Sequence, residues 1–173
     1  AMTGVGSKSY WKVVLNRIMG DGTASVTNVD DMESQSPEDI DEVGVYREIN
    51  EKFGVAIPRL EYKPENMALE KYILDEDQRK AYLFYSYNGE IIRYTMYTND
   101  ADSSFSQKGL DSLINEYELK NDNVSIHVEV YTINNSSNRR YIAEFEYQGS
   151  QYQIKGSMAK EEFDKILKNL FFV

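Results

Sequence analysis

The chain has 173 residues, with 29 Asp and Glu against 19 Lys and Arg, a formal charge of −10 and a pI near 4.7. That balance argues against a nucleic-acid binder, which needs clustered Lys and Arg for its phosphate contacts, and no apolar run approaches the ~18 residues of a membrane-spanning helix. Hydrophobic residues make up 41% and cysteine is absent, so the chain is expected to fold around an apolar core with no disulfide and no Cys-ligated zinc.

Residues 1–20 carry Lys8, Lys12 and Arg17 and no acid, with Trp11, Val14, Leu15 and Ile18 at helical spacing. Two readings stand: a short helix docked on the domain, or a membrane-proximal segment with its aromatics and lysines at headgroup level. No apolar stretch of the signal-peptide kind follows these bases. The start at Ala1-Met2-Thr3-Gly4 reads as an added residue before an internal start, so any targeting or spanning segment is expected upstream. Residues 20–36 are rich in Gly, Ser and Asp. The chain therefore divides into a basic stem with an acidic linker over 1–36 and one domain over 37–173.

A helix follows the linker. Ser36 suits the N-cap and Pro37 the first helical position. Ile40, Val43, Tyr46, Ile49 and Phe53 form an apolar stripe, and Gly54 is a natural terminator. From about residue 67 the period changes from 3.6 to 2. Strands are expected over 67–75, 80–87 and 90–98, the last two joined by Asn88-Gly89, a strong hairpin signal. Residues 99–114 break this pattern, and Leu110, Leu113 and Ile114 suggest a helical turn or two.

A second meander comes next. Strands over 115–120 and 124–132 flank Asn121-Asp122-Asn123, with Val124, Ile126, Val128 and Val130 on one face. Strands over 139–147 and 151–157 flank Gln148-Gly149-Ser150, with Tyr141, Ala143, Phe145 and Tyr147 facing away from Glu144 and Glu146. A helix over about 159–171 closes the chain with Phe163, Ile166, Leu167, Leu170 and Phe171 as its apolar stripe. The expected class is α+β: a single antiparallel sheet of about six or seven strands, with N-terminal and C-terminal helices packed on it.

Catalytic signals are thin. The one histidine, His127, shares a strand face with Ser125, Glu129 and Tyr131 and reads as a plain surface or groove residue. There is no G-x-S-x-G, no G-x-G-x-x-G and no phosphate loop. Paired carboxylates can hydrolyse glycosides, but any acidic chain supplies such pairs, and a carboxylate-based hydrolase is the least favoured reading. Asp100, Asp102, Ser104, Ser106 and Asp111 have calcium-loop spacing, yet Phe105 stands where that loop needs Gly and Asp111 where it needs a bidentate Glu. No catalytic residue, metal or cofactor is expected. Tyrosine is the oddity, with 14 against 7 Phe and 1 Trp. Strand propensity accounts for that excess. The functional alternative is a tyrosine-lined groove for a peptide or glycan, formed by Tyr85, Tyr94, Tyr97, Tyr131 and Tyr152.

The run from Tyr147 to Gly156, followed by Lys160-Glu161-Glu162-Phe163-Asp164-Lys165-Ile166-Leu167, resembles the closing hairpin and helix of domain-of-unknown-function family 4367. The Ile57-Pro58 entry and the Tyr82–Tyr97 hairpin fit it too, so the likeness covers about residues 57–172. Ala159 departs from the Ser or Thr usual before that helix. The resemblance implies a location more than an activity: such domains sit at the outward-facing end of single-span membrane proteins of Gram-positive bacteria, several of them like anti-sigma or sporulation-associated proteins. It assigns no catalytic residue. The bases of segment 1–20 would then lie on the side of the span opposite to the one the positive-inside rule prefers, which a stronger upstream basic flank would override.

The function expected from all this is a non-enzymatic, extracytoplasmic sensory or protein-interaction domain of a membrane-anchored regulator. The alternative is a cell-surface module that binds a cell-wall polymer or peptide. Its partner would be a protein, peptide or cell-wall ligand and not a nucleic acid, with membrane contact only through the upstream span.

Overall fold

The computed structural model describes residues 40–98, 112–134 and 136–172. The basic stem, the linker and the calcium-like loop over 100–111 lie outside the described residues; the helix expected to start after Ser36 begins instead at Glu42, with Asp41 in the capping position. In chain order the elements are helix α1 (Glu42–Phe53), strands β1 (Arg59–Leu60), β2 (Met67–Asp75), β3 (Lys80–Tyr87), β4 (Glu90–Thr98), β5 (Ser112–Asn121), β6 (Val124–Thr132), β7 (Arg139–Tyr147) and β8 (Ser150–Ser157), helix α2 (Lys160–Lys168) and strand β9 (Leu170–Phe171). Seven strands form one antiparallel sheet in the order β2-β3-β4-β8-β7-β6-β5, and β1 pairs with β9 in a separate two-stranded sheet.

The hairpins are built by turn chemistry. Asn88 and Gly89 take φ of 48° and 79°, and Gln148 and Gly149 take 52° and 83°. Two successive left-handed residues match the strand twist of a two-residue hairpin. The β5–β6 turn is also two residues long, because Asn121 pairs with Val124 and Asp122 supplies a φ of 55°.

One face of the large sheet and the apolar sides of both helices share one buried cluster. It includes Tyr46, Ile49 and Phe53 of α1, Tyr85, Tyr94, Val128 and Tyr152 of the sheet, and Phe163, Ile166 and Leu167 of α2. Tyr141 stacks on Phe163 with ring centres 5.2 Å apart. Tyrosine hydroxyls tie the layers together: Tyr85 donates to Glu42 (2.7 Å), Tyr62 to Glu162 (2.5 Å), and Tyr117 to Asp164 (2.6 Å).

The structure corrects four further expectations. Val43 is 48% exposed and Val45 is buried in its place, because Val45 stacks at i+4 spacing under Ile49 and Phe53. The closing helix ends at Lys168, and Leu170–Phe171 leaves it to pair with Arg59–Leu60. Leu113 and Ile114 lie in β5 and not in a helical turn. The sheet is accompanied by a second, small one.

Candidate functional site

The other face of the large sheet carries the polar chemistry. Cross-strand register sets its rows. One row runs Ile73, Tyr82, Thr95, Gln153, Glu144, His127, Glu118 from one edge of the sheet to the other. The next runs Lys71, Phe84, Arg93, Lys155, Ile142, Glu129, Glu116. Charge on this face is therefore sorted by strand. Bases hold the middle and acids hold the β5–β6 end.

In the middle, Lys155 lies opposite Arg93, with Arg140 on the neighbouring strand. Partial burial and these two guanidinium groups lower its ammonium to about 8. At the acidic end, Glu118 faces His127 across the β5–β6 ladder and Glu116 faces Glu129, so the four form a square. His127 Nδ1 lies 3.0 Å from Glu118 Oε2. Its Nε2 lies 3.1 Å from Glu116 Oε1 and 3.7 Å from Glu129 Oε2. The Tyr131 hydroxyl donates to the other oxygen of Glu129 (2.7 Å). Gln153 donates to Glu144, the carboxylate on the far side of His127 (3.2 Å).

These neighbours shift each other. The hydrogen bond to Glu118 leads the rise of the His127 imidazole above its ordinary value, with Glu129 and Glu116 adding to it. Burial raises the Glu144 carboxyl, and Glu129 adds to that. The Tyr131 phenol rises to about 12, first by burial and then by its bond to Glu129.

The five tyrosines expected to line a groove do not share one surface. Tyr85, Tyr94 and Tyr152 are fully buried under the helices, their hydroxyl chemistry turned inward. Tyr94 donates to the Pro58 carbonyl (2.7 Å), and burial lifts its phenol well above the usual range. Tyr97 and Tyr131 are half-buried on the opposite face. The reason is parity: position within the strand sends odd and even residues to opposite faces, and tyrosine content alone does not distinguish them. Elsewhere, a cleft of about 400 Å³ runs between the β3–β4 turn, the 137–139 loop and the start of α2, lined by Tyr87, Glu90, Arg139, Tyr141 and Lys160. It is open to solvent.

A family model described as a domain of unknown function, DUF4367, matches residues 57–170. The chain belongs to this family. The match begins just before β1 and ends in β9, so it spans the whole sheet and α2 and leaves out α1. No curated protein and no solved structure matches the chain.

Proposed function

We propose that this DUF4367 chain is a non-enzymatic, extracytoplasmic sensory or protein-interaction domain of a membrane-anchored regulator, and that the β5–β6 end of its sheet receives a positively charged, extended protein segment. The observation that carries the reading is the coincidence of three features on one strand. Among the described residues β5 is the outermost strand at that end, Leu113 and Ile114 on it are 46% and 49% exposed, and Glu116 and Glu118 lie further along it. An outer strand offers main-chain donors and acceptors to an added strand, flanking side chains select its sequence, and the glutamates favour a basic one.

Two experiments test this. Extended Lys/Arg-containing peptides, followed by fluorescence polarisation, should bind the chain, weaken with salt, and lose binding in a Glu116→Lys/Glu118→Lys variant. Equal binding of acidic and basic peptides would refute the surface. The location is tested separately in intact cells that make the full-length gene product. The chain has no cysteine and Ser137 is exposed, so Ser137→Cys adds a single thiol to it. A membrane-impermeant maleimide should label that thiol without lysis; labelling only after lysis would refute the outward placement.

A further inference from the structure

We propose that Glu116, His127 and Glu129 form a binding site for a divalent first-row transition metal of the zinc type. The three ligand atoms lie within 4.8 Å of one another. Two of their separations, 3.1 and 3.7 Å from Nε2, are close to the ligand-to-ligand edges of about 3–3.5 Å that follow from metal bonds of 2.0–2.2 Å. One imidazole with two carboxylates is a donor set suited to zinc or its neighbours, harder than thiolate sites and softer than the all-oxygen sites of calcium and magnesium.

The surroundings have the arrangement that orients metal ligands. The carboxylates of Glu118 and Glu116 can only accept, so they favour a hydrogen on each ring nitrogen of His127; metal binding would release the one on Nε2, while Glu118 keeps the one on Nδ1 and holds Nε2 toward Glu116 and Glu129. A carboxylate behind a ligating histidine fixes its tautomer and ring orientation. Tyr131 binds Oε1 of Glu129 and leaves Oε2, the oxygen nearer His127, for a cation. Glu116 and Glu129 are direct cross-strand partners of like charge, an arrangement relieved by a positive group between them, either the His127 imidazolium or a metal ion that replaces its Nε2 proton. With three ligands on one side and solvent on the other, for Glu116 is half exposed, the remaining coordination positions stay open to water or to a partner's side chain. The site shares Glu116 and Glu118 with the peptide-binding reading but does not rest on it: metal uptake is measured without peptide, and peptide binding can be measured in the presence of a chelator.

The test is calorimetric titration of Zn²⁺ into the chelator-treated full chain at neutral pH, with Co²⁺ as the spectroscopic probe. Expected are one Zn²⁺ per chain, a visible Co²⁺ band that Zn²⁺ displaces, and a rise in melting temperature with metal. His127→Gln should remove the Co²⁺ band and weaken binding more than tenfold. Glu118→Gln should weaken it about 10- to 100-fold, as removal of an orienting partner does. Glu51→Gln, at an exposed position of α1 near the other end of the sheet, should change nothing. Should His127→Gln prove misfolded by circular dichroism, Glu116→Gln/Glu129→Gln takes its place. Zn²⁺ uptake without a single saturable site, or uptake unchanged in a folded ligand variant, overturns the proposal.

Discussion

Gly156 lies near the C-terminal end of β8, where a strand residue ordinarily bears a side chain, and its role can be tested through one neighbour. A Cβ placed there would sit 2.3 Å from Cδ1 of Ile92, with Cγ2 at 3.2 Å and Cγ1 at 3.4 Å. Ile92 is fully buried in the main cluster. Gly156→Ala therefore forces the Ile92 side chain to move by about an ångström in a close-packed interior, where such overpacking costs roughly 1–3 kcal/mol. The clash rests chiefly on one methyl. Ile92→Val removes Cδ1 and alone should cost about 0.5–1.5 kcal/mol. In the Ile92→Val background, Gly156→Ala should then cost at least 0.5 kcal/mol less than in the natural chain, because the methyl that Ala lacked room for is gone. Urea unfolding of the four proteins, with equal slopes, closes the cycle. Strict additivity within about 0.3 kcal/mol would show that Gly156 is required for some reason other than the space Ile92 occupies.

Three further outcomes follow from the packing and the charges. Leu167→Ala should destabilise by about 2–5 kcal/mol in urea, since Leu167 is fully buried between α2 and the sheet, whereas exposed Lys168→Ala should stay within about 0.5 kcal/mol. Tyr117→Phe should cost about 1–2 kcal/mol, because it removes a 2.6 Å bond to Asp164, which keeps only its bond to Lys160; no loss in thermal or urea unfolding would mean that this bond contributes nothing net. Lys155 holds its proton to about pH 8 when folded, against an ordinary value of 10.5. Between those values the unfolded chain binds the extra proton, so stability should rise with pH over that window. Lys155→Met should flatten the rise and add about 1 kcal/mol near neutrality, a figure kept low because the side chain retains some solvent access; an unchanged pH profile would refute it.

Much of the architecture was legible from periodicity and turn residues. Asn88-Gly89 marked its hairpin, the Val124/Ile126/Val128/Val130 alternation marked the buried side of β6, and Phe163, Ile166 and Leu167 marked the face of α2. The acidic square was missed for a reason of register. With Asn121-Asp122-Asn123 read as a three-residue loop, Glu118 lies opposite Ile126, on the wrong side of the sheet. The two-residue turn that forms pairs Asn121 with Val124 and so places Glu118 opposite His127. A slip of one residue exchanges the two faces of a strand, and only the left-handed backbone at Asp122 decides between the two readings. The tyrosines failed for the opposite reason. Their number was visible, but strand parity and burial decide which become core, and Tyr85, Tyr94 and Tyr152 fall on the helix side.

The pairing of Arg59–Leu60 with Leu170–Phe171 has a mechanical consequence. It sets the point where the backbone enters the family region beside the point where it leaves. A load pulling entry and exit apart would lift Phe172 from the Phe145 and Tyr147 rings and then part the two rungs of this clasp in succession, like a zip, before strain reached the long ladders of the seven-stranded sheet. The clasp is thus a fuse: the weakest link in series with the strongest, failing early and rejoining without the sheet coming undone.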